Sequence, residues 1–193
     1  MSVLIAVPTF ETISPECFKA IYSLKGDDIS FDFVKGYDCA KARNEIVKKA
    51  FEGFDYVLMI DSDIVVPCDT LQIMLDNPVD VCFGVYPRKN TKTGETELFK
   101  DGTFDFKNRY TFEELNSETR DRISVKGGGF GCALIRTEVF KNIDYPWFEF
   151  HSYDNNTFLS EDLSFCMKAA YRYQLIADLR VRCGHIAKCV QYE

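Results

Sequence analysis

The sequence lacks any apolar run of the roughly 18 residues that a membrane-spanning helix requires. Its start lacks the basic stretch and small-residue cleavage site of a secretory signal, and Met1-Ser2-Val3-Leu4-Ile5-Ala6-Val7-Pro8 reads instead as a first buried strand. A soluble, cytoplasmic protein with no transmembrane segment is therefore expected. The eight cysteines include no CxxC pair and lie mostly within apolar stretches, which suits buried free thiols better than a disulfide frame. Cys183-Gly184-His185 with Cys189 is half a zinc site at most, because no second pair matches it. Basic excess is also missing. The 23 Lys and Arg against 30 Asp and Glu give a net charge of −7, which speaks against a nucleic-acid partner and leaves carboxylates available for cations. The chain of 193 residues is 46% hydrophobic, enough for one sizeable core but short for two, so a single domain over 1–193 is expected.

What is present is an alternation of strand and helix patterns. Residues 3–7 form a continuous apolar run of the kind buried parallel strands show. Ser14 precedes Pro15, an N-cap followed by proline at the first helical position, and Phe18, Ile21 and Tyr22 share one helical face. Residues 29–34 read as a second strand. Asp38 then caps a helix with Ile46, Val47, Ala50 and Phe51 at helical spacing, stopped at Gly53. Residues 56–60 are the third strand, Asp69 with Gln72 resembles a capping box for a short helix, and residues 79–86 are a fourth strand. This order predicts an α/β fold with a mostly parallel central sheet flanked by helices, its ligand site beyond the carboxyl ends of the strands.

Residues 88–126 are polar. Asp101-Gly102 between 96–100 and 103–106 predicts a hairpin insertion, and 108–122 reads as a solvated excursion. Gly127-Gly128-Gly129 leads into the apolar run 132–135. Ser160 caps a helix carrying Leu163, Cys166, Met167 and Ala170, and residues 175–181 form a last strand. The pattern changes at residue 88, between the alternating stretch 1–87 and the polar and mixed stretch 88–193.

Three groups of residues can carry chemistry. Asp61-Ser62-Asp63 follows the third strand directly. Asp and Ser favour strand-ending turns, which is the plainer explanation, but a tight turn there also aims both carboxylates at one ligand, and their hard oxygens suit Mg²⁺ or Mn²⁺. Glu161-Asp162 opens a helix, where acidic side chains gain roughly 0.3–1 kcal/mol from the helix dipole; the alternative is a general base facing a cleft. His185, one of two histidines, can complete an oxygen-rich metal shell or be an ordinary satisfied imidazole.

Several motifs, in order, give the chain a resemblance to a known family: Val7-Pro8-Thr9, Ala42-Arg43-Asn44, Met59-Ile60-Asp61-Ser62-Asp63 and Val85-Tyr86-Pro87-Arg88-Lys89. Gly129-Phe130-Gly131-Cys132, Pro146-Trp147-Phe148, Ser160-Glu161-Asp162 and Gly184-His185 continue it. The chain resembles a small GT-A-fold, family-2-like glycosyltransferase with a DxD motif, which implies a nucleotide-binding half, 1–87, and an acceptor-side half, 88–193. The resemblance implies transfer of a hexosyl or deoxyhexosyl group from a nucleotide-sugar donor, UDP favoured, to a hydroxyl on a glycan or other acceptor. It implies that Pro8, Thr9, Phe10, Glu11, Arg43, Asp61 and Ser62 bind the donor. Asp61, Asp63 and His185 would hold Mn²⁺ or Mg²⁺, with Asp63 in direct contact. Asp162, with Glu161 beside it, would be the base of an inverting reaction, and Gly128, Gly129 and Trp147 would border the acceptor. The acidic residue usual after the second strand has only Asp38 as a candidate. Two alternatives stay open: a non-catalytic sugar-nucleotide or glycan binding module, and a metal-dependent nucleotidyltransferase. The latter normally has a Gly-rich, basic loop after strand one, which Pro8-Thr9-Phe10-Glu11 is not.

Overall fold

The computed structural model describes residues 1–10, 12–36, 38–89, 94–152 and 158–186; Glu11 and Cys189 lie outside them. Strands β1 (Val3–Thr9), β2 (Ile29–Lys35) and β3 (Tyr56–Ile60) alternate with helices α1 (Pro15–Tyr22) and α2 (Cys39–Ala50), as the apolar pattern predicts. Then come β4 (Ile64–Val65), α3 (Thr70–Leu75), β5 (Val81–Val85), β6 (Glu95–Phe99), β7 (Arg109–Thr111) and α4 (Phe112–Ser117). After them run β8 (Arg122–Val125), β9 (Gly127–Gly128), β10 (Cys132–Arg136), α5 (Thr137–Lys141), β11 (His151–Ser152) and β12 (Phe158–Leu159). Helix α6 (Glu161–Ala169), β13 (Leu175–Arg182) and β14 (Gly184–His185) complete the order.

The central sheet has seven strands in the order β2-β1-β3-β10-β5-β13-β8. β1 pairs in parallel with β2 and β3, and β5 with β13. β10 runs antiparallel between β3 and β5, and β8 antiparallel to β13. The sheet is thus mixed, which corrects the expectation of a mostly parallel one. The cause lies in how β10 is reached. Helical crossovers return the chain to the amino edge before each parallel strand, whereas β10 enters from the carboxyl edge, with Cys132 opposite Ile60. Its residues Cys132 to Ile135 are all fully buried, so it reads as a central strand whichever way it runs. The antiparallel entry also delivers residues 129–131 to the edge beside Asp61, whose amide donates to the Gly131 carbonyl at 3.1 Å.

Each face of the sheet has its own core. Val57 and Met59 pack with Ile46 and Val47 of α2 and with Phe165 of α6. Leu58 and Ile60 pack with Ile21 of α1 and Leu71 and Met74 of α3. The helix starts follow local chemistry. The Ser14 hydroxyl accepts from the Cys17 amide at 3.1 Å, and Asp38 accepts from Ala40 and Lys41 at 2.9 and 3.2 Å.

Several local expectations change. On α1 the buried residues are Cys17, Ala20 and Ile21; Phe18 and Tyr22 stack outside, Phe18 also against Phe33 of the edge strand β2. Asp69 and Ser160 hold cap positions without a side-chain cap hydrogen bond. β6 pairs with β7 and β9, not with 103–106; Asp101 accepts from Thr103 and Asn108 there, and a 3-10 helix, Phe106–Asn108, follows with Asp105 as its cap. Residues 108–122 are ordered into β7 and α4, fixed by a Thr111–Glu114 capping box and by buried Leu115 and Arg109. On α6 the core takes Phe165, Cys166 and Ala169, and leaves Leu163 and Met167 only half-buried and Ala170 exposed. Among the described cysteines, Cys39 and Cys68 are exposed and the other five are buried; all are free thiols. No helix among the described residues is long and apolar enough to cross a membrane.

Candidate active site

The carboxyl end of β3, the amino end of β10 and the start of α6 converge on Arg43. This side chain projects from α2 and is only 3% exposed. Its Nη1 donates to Asp162 Oδ1 at 2.6 Å and to Glu161 Oε1, and its Nη2 donates to Asp61 Oδ1 at 2.9 Å. The guanidinium lies 5.6 Å from the centre of the Phe130 ring. Phe130 in turn packs edge-on against Phe83, Phe148 and Phe165. Three carboxylates thus share one cation over an aromatic floor.

The charge balance is unequal. Burial raises the Asp162 carboxyl, Arg43 opposes the rise, and the adjacent Glu161 carboxylate adds to it; the result moves from an ordinary 3.8 to about 7. Asp162 Oδ2 also accepts from the Phe130 amide at 3.3 Å. Asp61 is raised as well, by burial first and by Asp162 and Asp63, against Arg43. A third of its side chain still meets the cleft. Burial works against the charge on Arg43, but the three carboxylates outweigh it and keep it protonated.

A second pair lies beside this cluster. β14 pairs with β4, setting His185 opposite Ile64, and the Ile186 amide donates to the Asp63 carbonyl at 2.9 Å. His185 Nδ1 lies 2.7 Å from the Pro87 carbonyl, which can only accept, so that nitrogen carries the proton. Nε2 then faces Asp63 Oδ1 at 3.5 Å. Lys89 is ion-paired to the other Asp63 oxygen. Burial disfavours the Asp63 charge, yet Lys89 and His185, the latter when protonated on both ring nitrogens, outweigh it and hold the carboxyl at about 2. His185 is raised, because Asp63 and the Pro87 carbonyl overcome its burial.

The pair suits a hard divalent cation: one anionic oxygen, plus an imidazole whose proton is fixed on the far nitrogen so that Nε2 can offer its lone pair. No group of three or more candidate ligands occurs among the described residues. Among the described residues, Asp63 and His185 are the pair that could hold the cation, Asp61 being tied to Arg43, and a ligand's oxygens would help complete the shell.

Both groups border a cleft of about 980 Å³ whose walls include Asp61, Glu97, Gly129, Asp162 and His185. A depression of about 550 Å³ around Tyr56 and Arg136 lies at the opposite, amino edge of the strands and contains none of these groups.

Of the residues singled out in the sequence, Asp61, Asp162, Gly129 and His185 line the cleft, while Arg43 and Glu161 form its buried support. Asp63 adjoins through His185. Pro8 and Thr9 end β1, exposed Phe10 follows, and Ser62 sits in the Asp61–Asp63 turn, its carbonyl 3.4 Å from the Ser14 amide. None of these four lines the cleft, which extends from Asp61 toward α6 and β6–β7. Gly128 is buried against Phe83, where a Cβ would come within 2.8 Å of the ring. Trp147 is also buried, held by Phe51 and Phe140, and does not reach the cleft. Asn44 fixes that corner by donating to Ala40 and Phe148 and accepting from the Trp147 and Phe148 amides.

The structure adds residues to which sequence reasoning gave no role. Glu97, raised by burial, is paired with Arg109 at 2.9 Å and with Arg88 at 3.8 Å. The Tyr86 hydroxyl accepts from the Gly131 amide at 3.0 Å. Any Cβ at Gly129 would strike this hydroxyl, which is why glycine stands there. Tyr86 and Arg88 belong to the Val85-Tyr86-Pro87-Arg88-Lys89 motif. Glu97 carried no signal, because it sits in a polar segment that reads as solvent-facing.

No protein-family model and no curated protein matches the sequence. Solved structures do match in shape. A197 from STIV superposes with a TM-score of 0.67 at 16% identity, over 97% of this chain and 87% of that one. GalNAc-T7, crystallised with UDP, GalNAc and Mn²⁺, gives 0.66 at 10% identity, over 97% of this chain but 44% of that one. Residues 1–349 of S. aureus TarS, in complex with UDP-GlcNAc, give 0.58 at 14% identity, over 98% and 60%. This chain therefore spans about half the length of the latter two, and what it shares with all three is a GT-A-like fold.

Proposed function

We propose that the protein transfers a sugar from a nucleoside diphosphate sugar, with UDP as the nucleotide, to an acceptor hydroxyl, and that it inverts the anomeric centre. The observation that carries this reading is the unequal cluster in which Arg43 serves Asp61, Glu161 and Asp162 beside the Asp63–His185 pair. Two fold neighbours crystallised with UDP or UDP-GlcNAc support the choice of donor.

An acceptor hydroxyl is a poor nucleophile near neutral pH. Asp162 borders the cleft and has a carboxyl raised to about 7, so it can take the hydroxyl proton without being too weak a base. Arg43 and the Phe130 amide fix the orientation of that carboxylate. Arg43 keeps its own charge throughout, so protonation of Asp162 leaves the cluster closer to neutral. In this reading Asp61, open to the cleft, would accept from a ribose hydroxyl, and the end of β1 at Pro8, Thr9 and Phe10 would lie beside the nucleotide. Asp63 and His185 would hold Mn²⁺ or Mg²⁺, which when bound stabilises the negative charge of a departing diphosphate. Lys89 brings a second positive charge to the same place.

The test is nucleotide release from a panel of UDP-sugars, with and without Mn²⁺, in wild type and Asp63→Ala. Expected is metal-dependent release of UDP that the substitution abolishes. Metal-independent hydrolysis of every donor, unchanged by the substitution, would overturn the proposal. Pyrophosphate as product would point to nucleotidyl transfer, and tight UDP-sugar binding without turnover to a binding module.

A further inference from the structure

Helix α6 carries two apolar stripes, and the core uses only one. Phe165, Cys166 and Ala169 are buried against the sheet. Leu163, Met167, Ala170 and Tyr171 recur at i, i+4, i+7 and i+8, the spacing of a single helix face. That face lies outside the core: Leu163 and Met167 are half-buried, Ala170 is exposed, and Tyr171 is 87% exposed. It starts one residue after Asp162 and runs past the end of α6 to Ala170 and Tyr171 in the following turn.

The stripe is one wall of a groove. Leu163 and Met167 line the cleft, and Met167, Ala170 and Tyr171 line an adjoining hollow of about 170 Å³. Phe104 and Met167 border both spaces, so the two adjoin, with Lys126 at the rim of the hollow. Phe158 stands at the cleft, 67% exposed, stacked on Phe150 with ring centres 5.5 Å apart. The charged cleft groups other than Asp162 come mainly from the strand ends and from β6 and β7, whereas α6 and β12 supply apolar side chains. Single exposed apolar residues are ordinary; a run leading away from a candidate base is not.

We propose that the acceptor carries an aliphatic aglycone, which leaves the reacting hydroxyl at Asp162 and lies along the Leu163–Met167–Tyr171 face of α6, with Phe104 and Phe158 as the facing contacts. The inference rests on the transferase reading for the position of the hydroxyl. The groove speaks to the other end of the acceptor: an alkyl chain would cover the exposed Ala170, Tyr171 and Phe158 side chains, which a wholly sugar acceptor reaching only Asp162 would not.

The probes are methyl, butyl, hexyl and octyl β-D-glucopyranoside below their micelle-forming concentrations, titrated with and without UDP and Mn²⁺. The protein carries ¹³C at its methionine methyls. Of the four methionines, Met59 and Met74 are fully buried and Met1 lies at the opposite edge, so Met167 reports the groove. A saturable shift of the Met167 signal is expected, with Kd falling about two- to fourfold per methylene. Ala170→Glu and, separately, Phe158→Ser should flatten that dependence and leave the methyl glycoside unchanged. Equal affinity for methyl and octyl glycosides in the wild type, no binding of either, or an undiminished chain-length gain in both variants would overturn the proposal. UDP binding, read by calorimetry in the same samples, keeps the outcomes apart: its absence overturns the transferase reading while the groove result stands.

Discussion

Two buried arginine–carboxylate clusters lie in this sheet with opposite charge balance. At the carboxyl edge, one guanidinium serves Asp61, Glu161 and Asp162. On β13, the fully buried Asp178 receives two: Arg122 Nε at 2.7 Å, and Arg180 through Nε at 2.9 Å and Nη2 at 2.7 Å. Both carboxylates are penalised by burial. Asp178 is nonetheless held below its ordinary value, because its two arginines outweigh the penalty, while Asp162 is raised to about 7. Arg122 goes on to donate to the carbonyls of Ile73, Asp76 and Asn77, tying β8 to the end of α3. A carboxylate with surplus cations becomes a structural tie. One that must share a cation keeps a proton near neutral pH and can exchange it.

Removing each acid separates the two roles. The largest effect is expected from Asp162→Asn: sugar transfer falls about 10²- to 10⁴-fold, with UDP affinity by calorimetry kept. Lost UDP binding would reassign Asp162 to structure. Asp178→Ala should leave UDP affinity of the folded protein intact but lower the unfolding free energy in urea by about 3–5 kcal/mol, because two guanidiniums lose a buried partner.

The pH dependence of stability sharpens the contrast. From about pH 4 to 7 the folded chain binds more protons at Asp162 than the unfolded chain, so this group makes stability fall as pH rises. Asp178 acts the other way: its contribution is complete above about pH 4 and fades as pH drops through its depressed folded value. Urea midpoints across pH 3–8 should therefore lose their neutral-side decline in Asp162→Asn and part of their acid-side decline in Asp178→Ala. Unchanged slopes in both variants would refute the contrast. The smallest effect belongs to an exposed pair, Glu138–Lys141. Lys141→Ala should not move the urea midpoint measurably, since solvent and salt screen such pairs.

Much of the fold was legible because the first half obeys local rules. The apolar runs, Ser14 and Asp38 as caps, and Asp61-Ser62-Asp63 at the end of a buried strand all announce themselves at short range. The direction of β10 does not. Residues 132–135 are apolar on both faces, and such a run fits a parallel or an antiparallel neighbour equally well. The stripe on α6 misleads in the same manner: Leu163, Met167 and Ala170 have helical spacing, yet the sheet takes the adjacent stripe because Phe165 fits beneath Phe130. Among candidate-site residues, Asp61, Asp63, Glu161, Asp162 and His185 could be named from short motifs. Glu97, Arg109 and Phe158 could not, since they occur in polar or irregular stretches and meet only when β6, β7 and β12 fold toward the edge.

The sequence by itself determined which segments are buried and which acids stand at their ends, because hydrophobic periodicity and capping act within a few residues. Only the tertiary structure decided the charge ratio at Arg43. Asp61, Glu161 and Asp162 are separated by up to 119 residues from that arginine, and their proton affinities depend on burial and on who shares the guanidinium.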